Sequence, residues 1–324
     1  MLRPLTAVWY ALLTCCCCVG ASENSFIHAI NGDEVRAAFK GILSDASPRA
    51  SKKFIAFFDC DDVSHKNIDA SLQKKCILNF LKDLTIDKSV LPEVFKKICQ
   101  DSSKEVVSSV ILQLVSELQS FGYVFCLTQC TSDEATRRYR IATLRHLGYS
   151  FGATLPAAPT VSFDIPGLKP RFLQSKVTPP VYDSGIIFAG SASKGDTLKA
   201  FLKWLYGRPD VNLAPIGEIT VALVDDARRN IDVVADACKE LGVKHFIGVH
   251  YTEVEQPTAL IPVLSAVRQV QKDALENCKV WLPDADAKYV ALLQISPHQI
   301  PFAFGASEYI LDCSAFPPHL TKRG

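Results

Sequence analysis

The stretch Phe54-Ile55-Ala56-Phe57-Phe58-Asp59-Cys60-Asp61-Asp62-Val63 decides the fold, because an unbroken apolar run leads straight into three acids. Such a run reads as a strand buried on both faces, the kind found in a parallel sheet covered by helices. Charges at the carboxyl end of a buried parallel strand stand where open α/β sheets place their ligands. Residues two apart on an extended segment face the same way, so Asp59 and Asp61 are expected to address one pocket. Two carboxylates that close repel each other unless a cation offsets their charge or one of them is protonated. The pair suits a metal-assisted nucleophile beside a general acid/base.

Working outward, short apolar runs alternate with segments of helical period. Lys53 to Phe58, Tyr123 to Leu127, Gly185 to Phe188, Ile219 to Val224 and His245 to Val249 read as strands, with Val161 to Phe163 a weaker one. Asp133 to Leu147, Lys194 to Leu205, Arg229 to Leu241 and Leu260 to Leu275 read as helices, and Gly242 as a C-cap. The alternation predicts an α/β fold with a mostly parallel sheet flanked by helices. Ile68 to Leu118 departs from it, since Leu72, Cys76, Ile77, Phe80 and Leu81, then Val106, Val107, Val110, Leu112, Val115 and Leu118, fall at helical spacing with no strand between. The expectation is a helical insert at about 64–120, directly after the first core strand, that either caps the site or packs on the sheet flank. From Pro297 the tail carries Pro301, Pro317 and Pro318 and no clear period.

With Asp59, Asp61 and Val63 in a D-x-D-x-[TV] pattern after an apolar strand, the chain resembles the haloacid dehalogenase superfamily. That resemblance implies a Rossmann-like core, with Asp59 as the nucleophile that takes a phosphoryl group and Asp61 as the acid/base that protonates the leaving oxygen and then activates water. It also implies roles further along. Thr128, ending Tyr123-Val124-Phe125-Cys126-Leu127-Thr128, would donate to a phosphoryl oxygen, and Lys194, in Ser193-Lys194-Gly195-Asp196-Thr197-Leu198, would neutralise phosphoryl charge. The run Ile219-Thr220-Val221-Ala222-Leu223-Val224-Asp225-Asp226 supplies paired acids beyond a strand, a donor set for a hard cation such as magnesium. The expected ligands are Asp59, Asp61 and Asp225, with Asp226 in support. His250, after the last expected strand, could reach the pocket, whereas His65 reads as a solvated loop residue. Val63 lacks the hydroxyl that many members carry, and Ser64 replaces an apolar residue.

These features imply a magnesium-dependent phosphomonoesterase acting on a small phosphate ester. A binding protein that keeps the fold without the reaction, or a phosphotransferase, is the alternative. Thirty-five Lys plus Arg against 34 Asp plus Glu give a net charge of +1, which calls for no nucleic-acid partner.

Met1-Leu2-Arg3 precedes an uncharged run from Pro4 to Ser22 that ends in Val19-Gly20-Ala21, so residues 1–21 read as a secretory signal and 22–324 as the mature chain. The alternative is an uncleaved anchor, since the run falls within the roughly 17–25 residues that span a bilayer; with cleavage, no membrane span is expected. Four of the twelve cysteines lie in that leader. The other eight are scattered without a C-x-x-C pair, which speaks against zinc; buried free thiols are one reading, and disulfides, which an exported chain permits, are the other.

Overall fold

The structure, a computed structural model, describes residues 24–44, 52–68, 94, 98, 102–170, 176–255, 265–278, 281–295, 302–303, 309–312 and 319–322. In chain order its strands begin with β1 (Asn24–Ala29), β2 (Phe54–Phe58), β3 (His65–Asn67), β4 (Lys104–Val106) and β5 (Tyr123–Thr128). Then come β6 (Val161–Ser162), β7 (Val181–Asp183), β8 (Ile186–Phe188), β9 (Thr220–Asp225) and β10 (His245–Tyr251). The helices are α1 (Gly32–Ala38), α2 (Lys40–Leu43), α3 (Ser109–Leu118), α4 (Glu134–His146), α5 (Lys194–Tyr206), α6 (Arg228–Glu240), α7 (Ser265–Asp273) and α8 (Asp284–Ile295).

Eight strands form one sheet in the order β1-β10-β9-β2-β5-β8-β7-β6. From β1 to β8 every neighbouring pair is parallel, and only β7 runs against the rest, pairing antiparallel with β8 on one side and β6 on the other. The expected α/β architecture with a mostly parallel, helix-flanked sheet is therefore the observed one. The strands at its centre were legible because burial on both faces leaves no room for polar residues.

Strand β2 divides the core by simple alternation. Phe54, Ala56 and Phe58 pack on one side with Val124, Cys126, Ile111, Leu114, Leu118 and Leu144, against α3 and α4. Ile55 and Phe57 face the other side with Phe125, Leu198, Phe201 and Val234, against α5 and α6. All five β2 residues are fully buried, so truncating any one of Phe54, Phe57 or Phe58 to alanine would cost about 3–5 kcal/mol.

Two sequence expectations about the fold need correction. The 64–120 insert is not helix without strand: β3 and β4 pair antiparallel as a two-stranded ribbon, His65 against Val106. Only α3 at its end is helical among the residues described in sequence there, apart from the helical positions Val94 and Ile98. Val106 lies in the ribbon, and α3 buries Ile111, Leu114, Val115 and Leu118 as a flank of the main sheet. The physical reason is that its i, i+3, i+4, i+7 stripe packs on the Val124–Cys126 face of β5 as soon as the ribbon returns the chain to the sheet. The helical spacing at Leu72 to Leu81 lies outside the described residues. The tail is not irregular throughout, since β11 (Phe302–Ala303), β12 (Tyr309–Asp312) and β13 (His319–Lys322) pair antiparallel. Strand β1 and helix α8 were not expected at all. No helix among the described residues is long and apolar enough to cross a membrane, and residues 1–23 lie outside them.

Candidate active site

Register brings the acids together. Phe58 pairs with Val224 on one side and Cys126 on the other, so Asp59, Asp225 and Thr128 emerge along one carboxyl edge of the sheet. Alternation then fixes direction: Asp59 continues the Ile55–Phe57 face and Asp225 continues the Val221–Leu223 face, both toward α5 and α6.

Lys194 meets them there. It is the first residue of α5, whose N-cap Ser193 accepts from Asp196 N. Gly195 lets α5 lie close to α6, because a Cβ at that position would stand 2.4 Å from the Val233 carbonyl oxygen. Lys194 Nζ lies 2.8 Å from Asp59 Oδ1 and 2.6 Å from Asp225 Oδ2, with its side chain fully buried. Asp225 Oδ1 accepts from Ala227 N and Asn230 Nδ2, both at 2.9 Å. Asp59 Oδ1 also accepts from Cys60 N at 2.7 Å.

Asp59, Asp225 and Asp226 are all buried, and each offers an oxygen within 4.8 Å of the others. Three carboxylates against one ammonium leave the centre short of positive charge. Burial, opposed by Lys194 but reinforced by Asp225 and Asp226, pushes the Asp59 carboxyl from 3.8 up to about 8. Burial works against the charge of Lys194 too, yet the carboxylates of Asp225 and Asp59 outweigh it and hold the ammonium above its ordinary range. A hard cation with oxygen ligands fits this donor set, since it would supply the missing charge and let Asp59 ionise.

The expected ligand set is amended at Asp61. Its side chain does not join the triad, where Asp226 stands instead. The two-residue spacing fails because the strand ends at Phe58 and the chain turns: His65 N and Ser64 N both donate to the Cys60 carbonyl, and Asp62 takes a positive φ of 61°. Asp tolerates that left-handed conformation better than most residues. The turn swings Asp61 toward α4, where Arg140 binds both of its oxygens at 2.7 and 3.0 Å. Partial desolvation opposes the Asp61 charge, but Arg140, with Lys104, holds the carboxyl well below the usual range.

Neighbouring residues tie that loop down. Val63 is fully buried in the core, and the hydroxyl it lacks is provided next door: Ser64 Oγ donates to the Asp59 carbonyl at 2.6 Å. Tyr149 Oη in turn donates to the Ser64 carbonyl at 2.8 Å. Thr128 is buried, with Oγ1 donating to Cys130 Sγ at 3.3 Å, and that thiol lies 3.7 Å from Asp61 Oδ2. His250 Nε2 lies 3.0 Å from the Asp226 carbonyl oxygen, so this side chain reaches the backbone of the centre rather than its open face. His65 is buried, not solvated, with Nε2 at 3.3 Å from Cys60 Sγ and 2.8 Å from Arg140 Nη1. Among the described residues Cys60, Cys126, Cys130 and Cys238 are free thiols.

Sequence reasoning missed Arg140, and it marked Ser64 only as a departure from the motif, not as a donor to the Asp59 carbonyl. Arg140 lies in Thr136-Arg137-Arg138-Tyr139-Arg140, which reads as a solvated helix face. Its one signal was the i, i+4 relation to Leu144, which shares its buried stripe.

An α/β sheet with a buried lysine–carboxylate centre at its carboxyl edge places the chain among proteins whose site is built at strand ends. The chain belongs to the family described as "Protein of unknown function (DUF2608)", whose model matches residues 72–288, about two thirds of the chain. The matched region holds Thr128, Arg140, Lys194, Asp225, Asp226 and His250, while Asp59 and Asp61 precede it. No curated protein and no solved structure matches the chain.

Proposed function

We propose that this protein is a magnesium-dependent phosphomonoester hydrolase that works through an aspartyl-phosphate on Asp59. The observation that carries the reading is Lys194 bridging Asp59 and Asp225 inside a buried carboxylate triad. The resemblance of Asp59, Asp61, Thr128, Lys194 and the Asp225–Asp226 pair to the motifs of the haloacid dehalogenase superfamily supports it. Asp59, Asp225 and Asp226 would hold the cation, which when bound offsets charge on the transferring phosphoryl group.

The remaining steps belong to the side chains. Lys194 keeps the Asp59 carboxylate oriented and lends its charge to the phosphoryl oxygens. Asp59 attacks phosphorus while the ester oxygen leaves with a proton from Asp61, which the free chain holds ionised and which takes that proton up when the negatively charged ester binds beside it; Asp61 then takes a proton from the water that hydrolyses the aspartyl-phosphate. Thr128 donates its hydroxyl to a phosphoryl oxygen, for which it must turn from Cys130. An exported location, with residues 1–21 removed, is part of the same proposal.

Turnover of p-nitrophenyl phosphate with and without magnesium tests the reading. Asp59→Asn is expected to abolish turnover while magnesium binding weakens without being lost. An unchanged rate in that variant would falsify the mechanism. A wild-type chain that binds magnesium yet hydrolyses nothing in a broad ester panel would be a binding protein on the same fold.

A further inference from the structure

The residue roles proposed above depend on Asp61, yet nothing in them uses the group that grips it. Arg140 projects from α4 with 5% exposure and makes two hydrogen bonds to the Asp61 carboxylate. Its Nη1 also lies 2.8 Å from His65 Nε2. A guanidinium only donates, so Nε2 accepts and the ring proton falls on Nδ1, which stands 3.8 Å from Asp61 Oδ1. Asp61 is thus approached by Arg140 from the helix and by His65 from the ribbon.

The Asp61 side chain keeps 47% of its surface open, and it sits on a turn outside the strand. The contacts to Cys130 Sγ and His65 Nδ1, at 3.7 and 3.8 Å, are longer than those to Arg140 and hold it less firmly. A two-pronged guanidinium grip fixes the plane of a carboxylate as well as its position, which a lysine at the same place would not. Misplacing a reacting group by about 1 Å can cost about 100-fold in rate, so such a grip matters wherever a loop acid must meet a leaving oxygen.

We propose that Arg140 is a positioning residue that sets where the Asp61 carboxylate stands, with His65 tying that grip to the base of the ribbon. This rests on the phosphomonoesterase reading for its catalytic consequence, though not for the contact itself.

The test compares phenyl phosphate with p-nitrophenyl phosphate, whose leaving oxygen is less basic and needs a proton less. Wild type, Arg140→Ala, Asp61→Asn and the double variant are assayed with magnesium. Arg140→Ala is expected to lose about tenfold or more in kcat on phenyl phosphate, with KM within about threefold, and several-fold less on the nitrophenyl ester. In the double variant it should add nothing to Asp61→Asn. A role confined to holding the fold together would slow both esters alike and multiply with Asp61→Asn, which overturns the proposal. A faster Arg140→Ala overturns it as well, because the grip would then be parking Asp61 out of use. If Arg140→Ala does not fold, Arg140→Lys, which keeps the charge and loses the fork, carries the same comparison. A wild-type chain that turns over neither ester sinks the phosphomonoesterase reading by itself. Melting temperatures then decide on the grip: the shifts of Asp61→Asn and Arg140→Ala must be sub-additive, and additive shifts overturn it.

Discussion

At Asp59, burial and two neighbouring carboxylates act against the single ammonium of Lys194, and the balance favours a bound proton. The Asp59 carboxyl rises from 3.8 to about 8, so the folded chain holds that proton more tightly than the unfolded chain does. Between those two values the folded state binds more protons, and stability therefore falls as pH rises through the window. The metal-free wild type should lose melting temperature from about pH 4 to about pH 8 relative to Asp59→Asn, which has no carboxyl to ionise there. Thermal melts in chelator across that range check the slope. Magnesium should raise the wild-type melting temperature more at pH 8 than at pH 5, where the cation competes with the proton. Sequence spacing found Asp59 and Asp225 because both are the next residue on a strand whose alternation holds to its end. It misjudged Asp61 for the same reason, since alternation carries no information once the backbone turns at Asp62.

Among the elements, the pair α5 and α6 decides where Lys194 stands. Gly195 is the point of closest approach, and a methyl group there would meet backbone, which cannot rotate aside as a side chain would. Gly195→Ala should cost about 1–3 kcal/mol by forcing the helices apart. The same displacement should move Lys194 and lower turnover beyond what the lost stability explains. Denaturant titration and kcat measured on the folded fraction check the two effects. The Lys-Gly-Asp order was readable as a motif, but its mechanical reason was not, because close approach to Val233 depends on a partner helix some forty residues on. Long helices such as α4, α5 and α6 were legible from their period. The ribbon of β3 and β4 was not, because three-residue strands are too short for alternation to register.

For the whole molecule, sheet order shows how far the local reading reached. The parallel centre followed from both-faces burial, whereas β1, with Asn24, Ser25 and His28 exposed, carries the mixed pattern of a sheet margin and gave no such signal. It pairs with β10 along its whole length, from Asn24 against Phe246 to Ala29 against Tyr251. Removing residues 1–29 should therefore strip β10 of its partner and leave a bare row of backbone donors and acceptors. Size-exclusion chromatography should find this truncated chain as soluble aggregate or strand-paired oligomer, while Asp59→Asn stays as the full-length chain does. The pairing also sets an order of events. More than two hundred residues separate its halves, so closing this contact costs the most loop entropy and comes late. A nascent polypeptide can seal that seam only after residue 251 has emerged, and until then its earliest segment is the natural target for a chaperone.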